Sequence, residues 1–450
     1  MDRWNRTRSP GPGKPSGGPE GAAPPGAVAG GAETTRGASG ETTRSGAGPA
    51  GAQSPPAAGS PGEPLPAAGD SPGEPLPAGV IASDAGPSPQ GYAIDTAPGQ
   101  WLDDPLGAGF AYTTLAQGED EEGPVCATLV RYLPPRPARE PWRDALLDLA
   151  GGLRRAGGAL RGPPDGAAPV PVVLSVHGWT DYFYNAELAR FWSGRGYRFY
   201  ALELRRYGRS LRAWQTPGFV QDLREYDDDI DAALSAIRAD VGRLGDVVCV
   251  AHSTGGLVAS LWADRHPGAF SALVLNAPWL ELQGSSLVRA AAAGLLDPVA
   301  RRRPRAKLKL PEVDHYWQSL SAEAHGEWAL HPLWRPRHSF PVTVGWMTAV
   351  LAGHAAVSRG LDIRAPILVL TSDRTQLGTQ FDPAMLTADA VIDVEVVRQR
   401  ALKLGREVTV VRVENAMHDL FASAAPARSA AYDAVTRWSE GYLPPPRRGR

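Results

Sequence analysis

Cysteine, long apolar runs and surplus charge are all scarce in this sequence of 450 residues. Two cysteines, Cys126 and Cys249, provide neither a disulfide framework nor a cysteine-ligated metal site. No stretch approaches the roughly eighteen consecutive apolar residues of a membrane-spanning helix, and no apolar stretch follows the arginine-containing segment Met1–Lys14 as it would in a secretion signal. We therefore expect a soluble, cytoplasmic protein with no metal site and no transmembrane segment.

The charges of the chain are nearly balanced. A formal net charge of −2, with no long basic run in the globular part, argues against binding to a phosphate backbone. A short basic run, Arg301–Arg305, predicts either a solvated surface or a weak contact with an anionic membrane surface. Nucleic acid is not an expected partner.

Residues 1–99 are dominated by Gly, Pro, Ala, Ser and Thr and contain few large apolar side chains. The octapeptide SPGEPLPA occurs twice, at Ser60–Ala67 and Ser71–Ala78. A unit with a single leucine cannot bury a core by stacking, so the repeat indicates a low-complexity segment. We predict a disordered arm over residues 1–99.

Apolar runs and helical stretches alternate over residues 100–450, which we assign to one domain. Two β-favouring runs, Gly109–Gln117 and Pro124–Tyr132, flank an acidic turn and predict a hairpin. Six further strands are predicted: Pro171–Val176, Arg198–Leu204, Asp246–Ala251, Phe270–Leu275, Ile367–Leu370 and Val408–Val413. The pattern predicts an α/β fold whose mostly parallel sheet has helices on both faces and the antiparallel N-terminal hairpin at its edge.

Ser253 is the candidate nucleophile. It follows the strand Asp246–Ala251 within the sequence Ala251-His252-Ser253-Thr254-Gly255 and precedes a helical stretch. A sharp strand-to-helix turn of this kind exposes the serine and needs small residues two positions before and after it. The alternative is a serine that only caps the helix. His252 is expected to point away from the site, because neighbouring residues diverge at a tight turn.

Two main-chain N–H groups would stabilise an oxyanion beside this serine. One belongs to the residue after the nucleophile, Thr254. The other comes from the loop after the strand Pro171–Val176, where His177-Gly178-Trp179 makes Trp179 the candidate. A simple turn glycine is the alternative explanation for Gly178.

A general base and an acid would complete the site. Among nine histidines, His418 is the one that follows the last predicted strand. The acid should precede it in the chain and follow the strand Ile367–Leu370. Asp389, directly before a helix, is favoured over Asp373, which follows that strand at once. Asp382 and Asp393 are lesser candidates. Their competing explanations are a charge on a loop for Asp382 and a charge in the first turn of a helix for Asp393.

From about Pro171 to Leu420 these motifs, with the segment Leu204–Ser210, resemble the α/β-hydrolase superfamily, in particular its monoacylglycerol lipase, lysophospholipase and serine aminopeptidase-like branch. The resemblance implies ester hydrolysis through an acyl-enzyme without a cofactor. It also implies that Asp389-Ala390-Val391 is the acid-bearing segment.

About sixty residues after the sixth predicted strand, at about 279–340, occupy the position of a cap. They contain four tryptophans, which either line an apolar pocket or form the cap's own core: Trp279, Trp317, Trp328 and Trp334. The leading hypothesis is an esterase acting on a small-molecule ester or lipid. The alternatives are an amide or peptide hydrolase, with Glu312, Asp314 or Glu323 to hold a substrate amine, and a non-catalytic binding module.

Overall fold

The computed structural model describes residues 96–97, 99–135, 168–282 and 286–443, without the side chains of 286–293. The predicted disordered arm over residues 1–99 lies outside these ranges apart from residues 96, 97 and 99, and it stays a prediction. Thr96 is buried, and its hydroxyl accepts the N–H of Thr114 at 3.0 Å. This hydrogen bond holds Thr96 against the folded domain.

A nine-stranded sheet forms the centre of the described chain, in the order β1-β2-β3-β5-β4-β6-β7-β8-β9. Its strands are β1 (Leu102–Asp103), β2 (Phe110–Asp120), β3 (Gly123–Tyr132), β4 (Val170–Val176), β5 (Arg198–Glu203), β6 (Leu244–His252), β7 (Ala272–Asn276), β8 (Ile367–Ser372) and β9 (Val408–Val413). The pairs from β5 to β9 are parallel, whereas β1, β2 and β3 pair antiparallel at one edge. The predicted mostly parallel sheet with an N-terminal hairpin is confirmed.

Continuous apolar sequence accounts for the central strands. Every residue of β7 and β8 is buried, as are the last five residues of β4. Successive side chains of a strand point to opposite faces, so burial at consecutive positions means that both faces of the sheet are covered. β9, at the edge, is mostly half-buried.

Eight helices accompany the strands in the described ranges. They are α1 (Ala186–Gly194), α2 (Glu225–Val241), α3 (Thr254–Arg265), α4 (Ser286–Arg302), α5 (His315–Leu320), α6 (Val344–Arg359), α7 (Val394–Ala401) and α8 (Ala425–Tyr442). None of these described helices is both long and apolar enough to cross a membrane.

The cap inserts between β7 and α6 and contains α4 and α5. Its place agrees with the predicted insertion; it follows the seventh strand only because the two-residue β1 escaped prediction. The cap lies near the carboxyl ends of the parallel strands. Its Phe340 N–H donates to the hydroxyl of Thr180, in the loop after β4. The site is built at these strand ends.

Candidate active site

Ser253 occupies the turn between β6 and α3 with φ 51° and ψ −119°. Its N–H donates to the carbonyl of Asn276 at 3.0 Å, and its own carbonyl accepts the N–H of Trp279 at 2.9 Å. A non-glycine residue in this backbone region is strained and persists because its surroundings fix it. These two hydrogen bonds, to the last residue of β7 and to Trp279 beyond it, provide that support.

Close packing explains the small residues around the turn. A Cβ added to Gly255 would lie 2.2 Å from the carbonyl oxygen of His177, and one on Gly256 would lie 2.7 Å from the Cβ of Pro278. Ala251 is fully buried. The small residues at 251 and 255 are those that the turn motif predicts, and the contact with Pro278 adds a reason for glycine at 256.

In the described ranges, the non-glycine residues with a positive φ all lie near the carboxyl ends of the parallel strands. Each such residue closely follows the end of a parallel strand: Thr180, Arg206, Ser253, Ala277 and Asn415. Backbone strain tends to collect at functional sites. Its distribution here coincides with the edge at which the candidate residues meet.

His418 lies on the loop after β9 and is buried. Its Nε2 is 3.0 Å from the Oγ of Ser253, and its Nδ1 is 2.8 Å from Oδ2 of Asp389. The ring packs edge-on against Tyr316 of the cap, with centroids 5.3 Å apart. The structure thus brings the predicted serine, histidine and favoured aspartate into one hydrogen-bonded chain.

The loop that bears His418 is held by the end of β7. The Asn276 side-chain amide donates to Oδ1 of Asp419 at 2.6 Å and accepts the N–H of Leu420 at 3.1 Å. The Ser423 hydroxyl accepts the N–H of Met417 at 2.9 Å. These bonds fix the loop on both sides of the imidazole.

Asp389 is fully buried, and its second oxygen is occupied by main chain. Oδ1 accepts the N–H groups of Val391 and Ile392 at 2.8 and 2.9 Å. These two bonds fix the orientation of the carboxylate, so that its other oxygen, Oδ2, faces His418. The expectation that Asp389 stands directly before a helix is wrong, because the next helix begins only at Val394 and is capped by Asp393. The main-chain bonds of the turn that follows Asp389 fix the carboxylate instead.

The three competing aspartates lie elsewhere. Asp373 accepts the N–H of Asn415 and pairs with Arg374. Asp382 caps a short 3₁₀ turn, and Asp393 caps α7. Each has a local structural task, and none of their recorded contacts reaches His418.

Trp179 and Thr254, the predicted oxyanion donors, flank Ser253. Neither main-chain N–H has a hydrogen-bond partner among the described residues, so both remain free to donate. A Cβ added to Gly178 would lie 3.1 Å from the Cβ of Ser253 and 3.2 Å from Cδ2 of His252. Gly178 therefore permits the close approach of this loop to the serine, beyond what a simple turn requires.

His252 does not point away from the site, so the expectation for this residue is wrong. Its ring centroid lies 4.9 Å from that of His418, and its Nδ1 is 3.1 Å from the carbonyl oxygen of Asn276. That bond rotates the ring into the site. Burial lowers the pKa of His252 to about 4, which keeps the ring neutral near pH 7.

An open cavity of about 400 Å³ lies in front of Ser253 and His418. Its wall is mainly apolar and aromatic, with contributions from the cap and from the loop after β8: Trp179, Val313, Tyr316, Trp317, Leu377 and Val391. The volume falls in the range of small-molecule sites.

The four cap tryptophans divide between the two expected roles. Trp317 lines the cavity. Trp279 stacks on Trp346 of α6, Trp334 packs edge-on against Tyr182, and Trp328 donates its indole N–H to the carbonyl of Ala422 at 2.8 Å. Three of the four therefore fasten the cap to the domain.

A buried charged pair in the cavity was missed by sequence reasoning. Nε of Arg335 lies 3.7 Å from Oδ1 of Asp181, and Nη1 donates to the carbonyl of Thr180 at 2.6 Å. Burial raises the pKa of Asp181 to about 6. Asp181 follows the Trp179 loop closely enough to have been considered, whereas nothing in the cap sequence marks Arg335.

The chain is similar to several known proteins. Over 213 residues the chain is 28% identical to a monoacylglycerol lipase of Mycolicibacterium smegmatis, covering 46% of this chain and 71% of that protein. The crystal structure of a monoacylglycerol lipase from Paleococcus ferrophilus aligns with a TM-score of 0.44 at 20% identity, covering 61% of this chain and 96% of that one. A thermophilic esterase from Thermogutta terrifontis aligns with a TM-score of 0.41 at 15% identity, covering 74% of this chain and 100% of that one.

A sequence profile described as serine aminopeptidase, S33, matches residues 167–423, which is more than half of the chain. The match contains the turn at Ser253, the loop at Trp179, Asp389 and His418. The chain belongs to this family of α/β-hydrolases.

Proposed function

We propose that the protein is a serine hydrolase that cleaves carboxylic esters through an acyl-enzyme on Ser253. The observation that carries the proposal is the buried chain of hydrogen bonds from Asp389 through His418 to Ser253, which opens on a largely apolar cavity. A nucleophile, a base and a group that orients the base, arranged in this way, are the requirements of nucleophilic acyl transfer.

In the first half of the reaction, Oγ of Ser253 attacks the ester carbonyl carbon while Nε2 of His418 takes the hydroxyl proton. The carbonyl oxygen becomes an oxyanion, which the N–H groups of Trp179 and Thr254 stabilise. Collapse of the tetrahedral intermediate breaks the bond to the leaving alcohol, and His418 returns the proton to that alcohol. Asp389 holds Nδ1 protonated, so that Nε2 is free to accept.

The lining of the cavity favours an ester over a peptide. The three cap acids that sequence reasoning offered as anchors for a substrate amine, Glu312, Asp314 and Glu323, are not among the residues that line it. Asp181 does line the cavity, but Arg335 already lies beside its carboxylate. An ammonium group would have to compete with that guanidinium, whereas an acyl chain would meet aromatic and aliphatic walls.

A non-catalytic binding module is the weaker alternative. A binding domain gains nothing from a strained serine, a buried Asp–His pair and two unpaired N–H donors. The relatives named monoacylglycerol lipase suggest a lipid ester as substrate, and a lysophospholipid ester fits the same chemistry. The cytoplasmic location, the weak membrane contact of Arg301–Arg305 and the absence of a nucleic-acid partner remain predictions from the sequence.

The test is a series of p-nitrophenyl esters of increasing acyl length, with a matched p-nitroanilide at each length. We expect kcat/KM for the esters to exceed that for the anilides at every length, and Ser253→Ala to abolish both. A preference for the anilides would favour the peptidase alternative. Tight binding without turnover by the unaltered protein would favour the binding module.

A further inference from the structure

A second, smaller cavity of about 40 Å³ lies behind the site. Polar side chains in its wall come from the loop after β4, the ends of β6 and β7, and the loop after β9: His177, Asp181, Tyr184, His252, Asn276 and Asp419. We call this cavity the rear chamber. Its size admits a very few water molecules but no substrate of the size that fits the front cavity.

Two residues that line the rear chamber carry a buried polar atom without a hydrogen bond. The hydroxyl of Tyr184 and Oδ1 of Asp181 have no hydrogen-bond partner among the described residues, although Nε of Arg335 lies 3.7 Å from that oxygen. Leaving such groups unsatisfied is costly, and small polar cavities in proteins are where ordered water satisfies them. Asp181 and Tyr184 both line this cavity, so a carboxylate acceptor and a hydroxyl are available in its wall to a water molecule.

His252 and Asp181 line both the rear chamber and the front cavity. Nδ1 of His252 lies 3.1 Å from the carbonyl oxygen of Asn276, and a carbonyl only accepts, so Nδ1 carries the proton. The neutral ring then has a single acceptor, Nε2. This ring thus borders both cavities, and its centroid lies 4.9 Å from that of His418, the general base.

We propose that the rear chamber supplies the water that hydrolyses the acyl-enzyme, and that His252 is a positioning residue whose Nε2 accepts a hydrogen bond from that water. The inference rests on the acyl-enzyme function proposed above and assigns a source to its second reactant. The acyl group fills the front cavity during this half of the reaction, so water that enters from behind need not displace it.

Hydrolysis of the acyl-enzyme consumes one water molecule. The water oxygen bonds to the acyl carbon, one water proton passes to Nε2 of His418, and the carbonyl electrons move onto the oxyanion. When the intermediate collapses, the bond between the acyl carbon and Oγ of Ser253 breaks, and His418 returns the proton to Oγ. The carboxylic acid leaves, while His252 keeps its own proton throughout.

Two substitutions separate the positioning role from a structural one. In His252→Asn the side-chain amide takes the place of Nδ1 and keeps a donor for Asn276, but the acceptor at the Nε2 position is lost. In His252→Gln the amide reaches the Nε2 position and restores an acceptor, whereas the bond to Asn276 is lost. If His252 positions water, Gln is the better replacement; if it only supports the turn, Asn is better.

The readout is the pre-steady-state burst of p-nitrophenol from a p-nitrophenyl ester. We expect His252→Asn to leave the burst rate within about twofold of the unaltered enzyme and to slow the following steady-state phase about tenfold, as for the loss of one or two well-placed hydrogen bonds. His252→Gln should recover most of the steady-state rate. Equal slowing of both phases in His252→Asn, with no rescue by His252→Gln, would overturn the proposal.

Partitioning with an added alcohol gives a second measurement. Butanol is too large for the rear chamber and must approach through the front cavity. We expect the ratio of butyl ester to free acid to rise about fivefold in Tyr184→Phe, which removes one chamber hydroxyl without touching the serine turn. An unchanged ratio in both Tyr184→Phe and His252→Asn would show that water and alcohol share one route, against the proposal. A butyl ester to free acid ratio that changes with the leaving group of the substrate ester would instead count against a common acyl-enzyme.

Discussion

Replacement of Asp389 by asparagine tests how the base is held. The side chain keeps its shape, and its carbonyl oxygen continues to accept the N–H groups of Val391 and Ile392, now bonded at 2.8 and 2.9 Å. The amide nitrogen then faces Nδ1 of His418 in place of Oδ2, at a position 2.8 Å away. Because that nitrogen only donates, Nδ1 must become an acceptor.

The consequence is a change of tautomer. With Nδ1 unprotonated, the neutral ring carries its proton on Nε2, which points at Oγ of Ser253 and has no lone pair to accept the hydroxyl proton. Loss of the correct tautomer in a serine hydrolase costs on the order of 10⁴ in kcat at neutral pH. We expect a loss of this size for Asp389→Asn with KM little changed.

Asp373→Asn is the matched control. Asp373 also follows β8 and also accepts a main-chain N–H, from Asn415 at 3.0 Å, but its other recorded partner is Arg374. Its replacement weakens local hydrogen bonds of the loop and should lower kcat by about tenfold at most.

The assay compares both variants with the unaltered enzyme on one chromogenic ester, with circular dichroism to verify folding. The reasoning is refuted if Asp373→Asn is crippled while Asp389→Asn stays near the unaltered rate. It is also refuted if a folded Asp389→Asn keeps more than about a hundredth of the activity, since the tautomer would then not limit the reaction.

Three further predictions follow from the site. Burial lowers the pKa of His252 to about 4 in the folded protein, whereas an unfolded histidine has a pKa of about 6.5. Between these two pH values only the unfolded chain binds a proton at His252. The contribution of His252 to the free energy of unfolding is therefore complete above about pH 6.5 and is lost as the pH falls. Denaturant titrations should show about 2 kcal/mol of this loss between pH 7 and 5, and His252→Asn should lack that part; an unchanged pH dependence would contradict the assignment. Gly178→Ala places a Cβ 3.1 Å from that of Ser253 and should lower kcat about 10–100-fold with a small change in melting temperature, whereas unaltered kcat would mean that the loop gives way freely. Asn276→Ala removes the 2.6 Å bond to Asp419 and should cost about 1–3 kcal/mol of unfolding free energy along with part of kcat, and full stability would show that this clamp is dispensable.

Local sequence patterns were sufficient to predict most of the sheet. Continuous apolar runs such as that of β7 are long enough to identify a buried strand, and the serine turn is defined by five adjacent residues. The two-residue strand β1 was missed because it has no pattern of its own and exists through pairing with β2.

The residues of the site that could be predicted are those that follow a strand, because the place of the strand in the sheet determines what lies next to them. His418 and Ser253 follow strands whose order is set by the topology, so their meeting could be expected. The orientation of His252 and the burial of Arg335 depend on partners 24 and 155 residues away in the chain, Asn276 and Thr180. No local signal carries such contacts.

The most direct test of the central claim is mass spectrometry of the protein after reaction with a fluorophosphonate. We predict a single covalent adduct, mapped to the peptide that contains Ser253, and no adduct in a folded Ser253→Ala variant. A matched Ser260→Ala variant removes a buried hydroxyl of α3 that donates to the carbonyl of Gly256, and it should label like the unaltered protein. Labelling that persists in Ser253→Ala, or an adduct mapped to another residue, would contradict the assignment of the nucleophile.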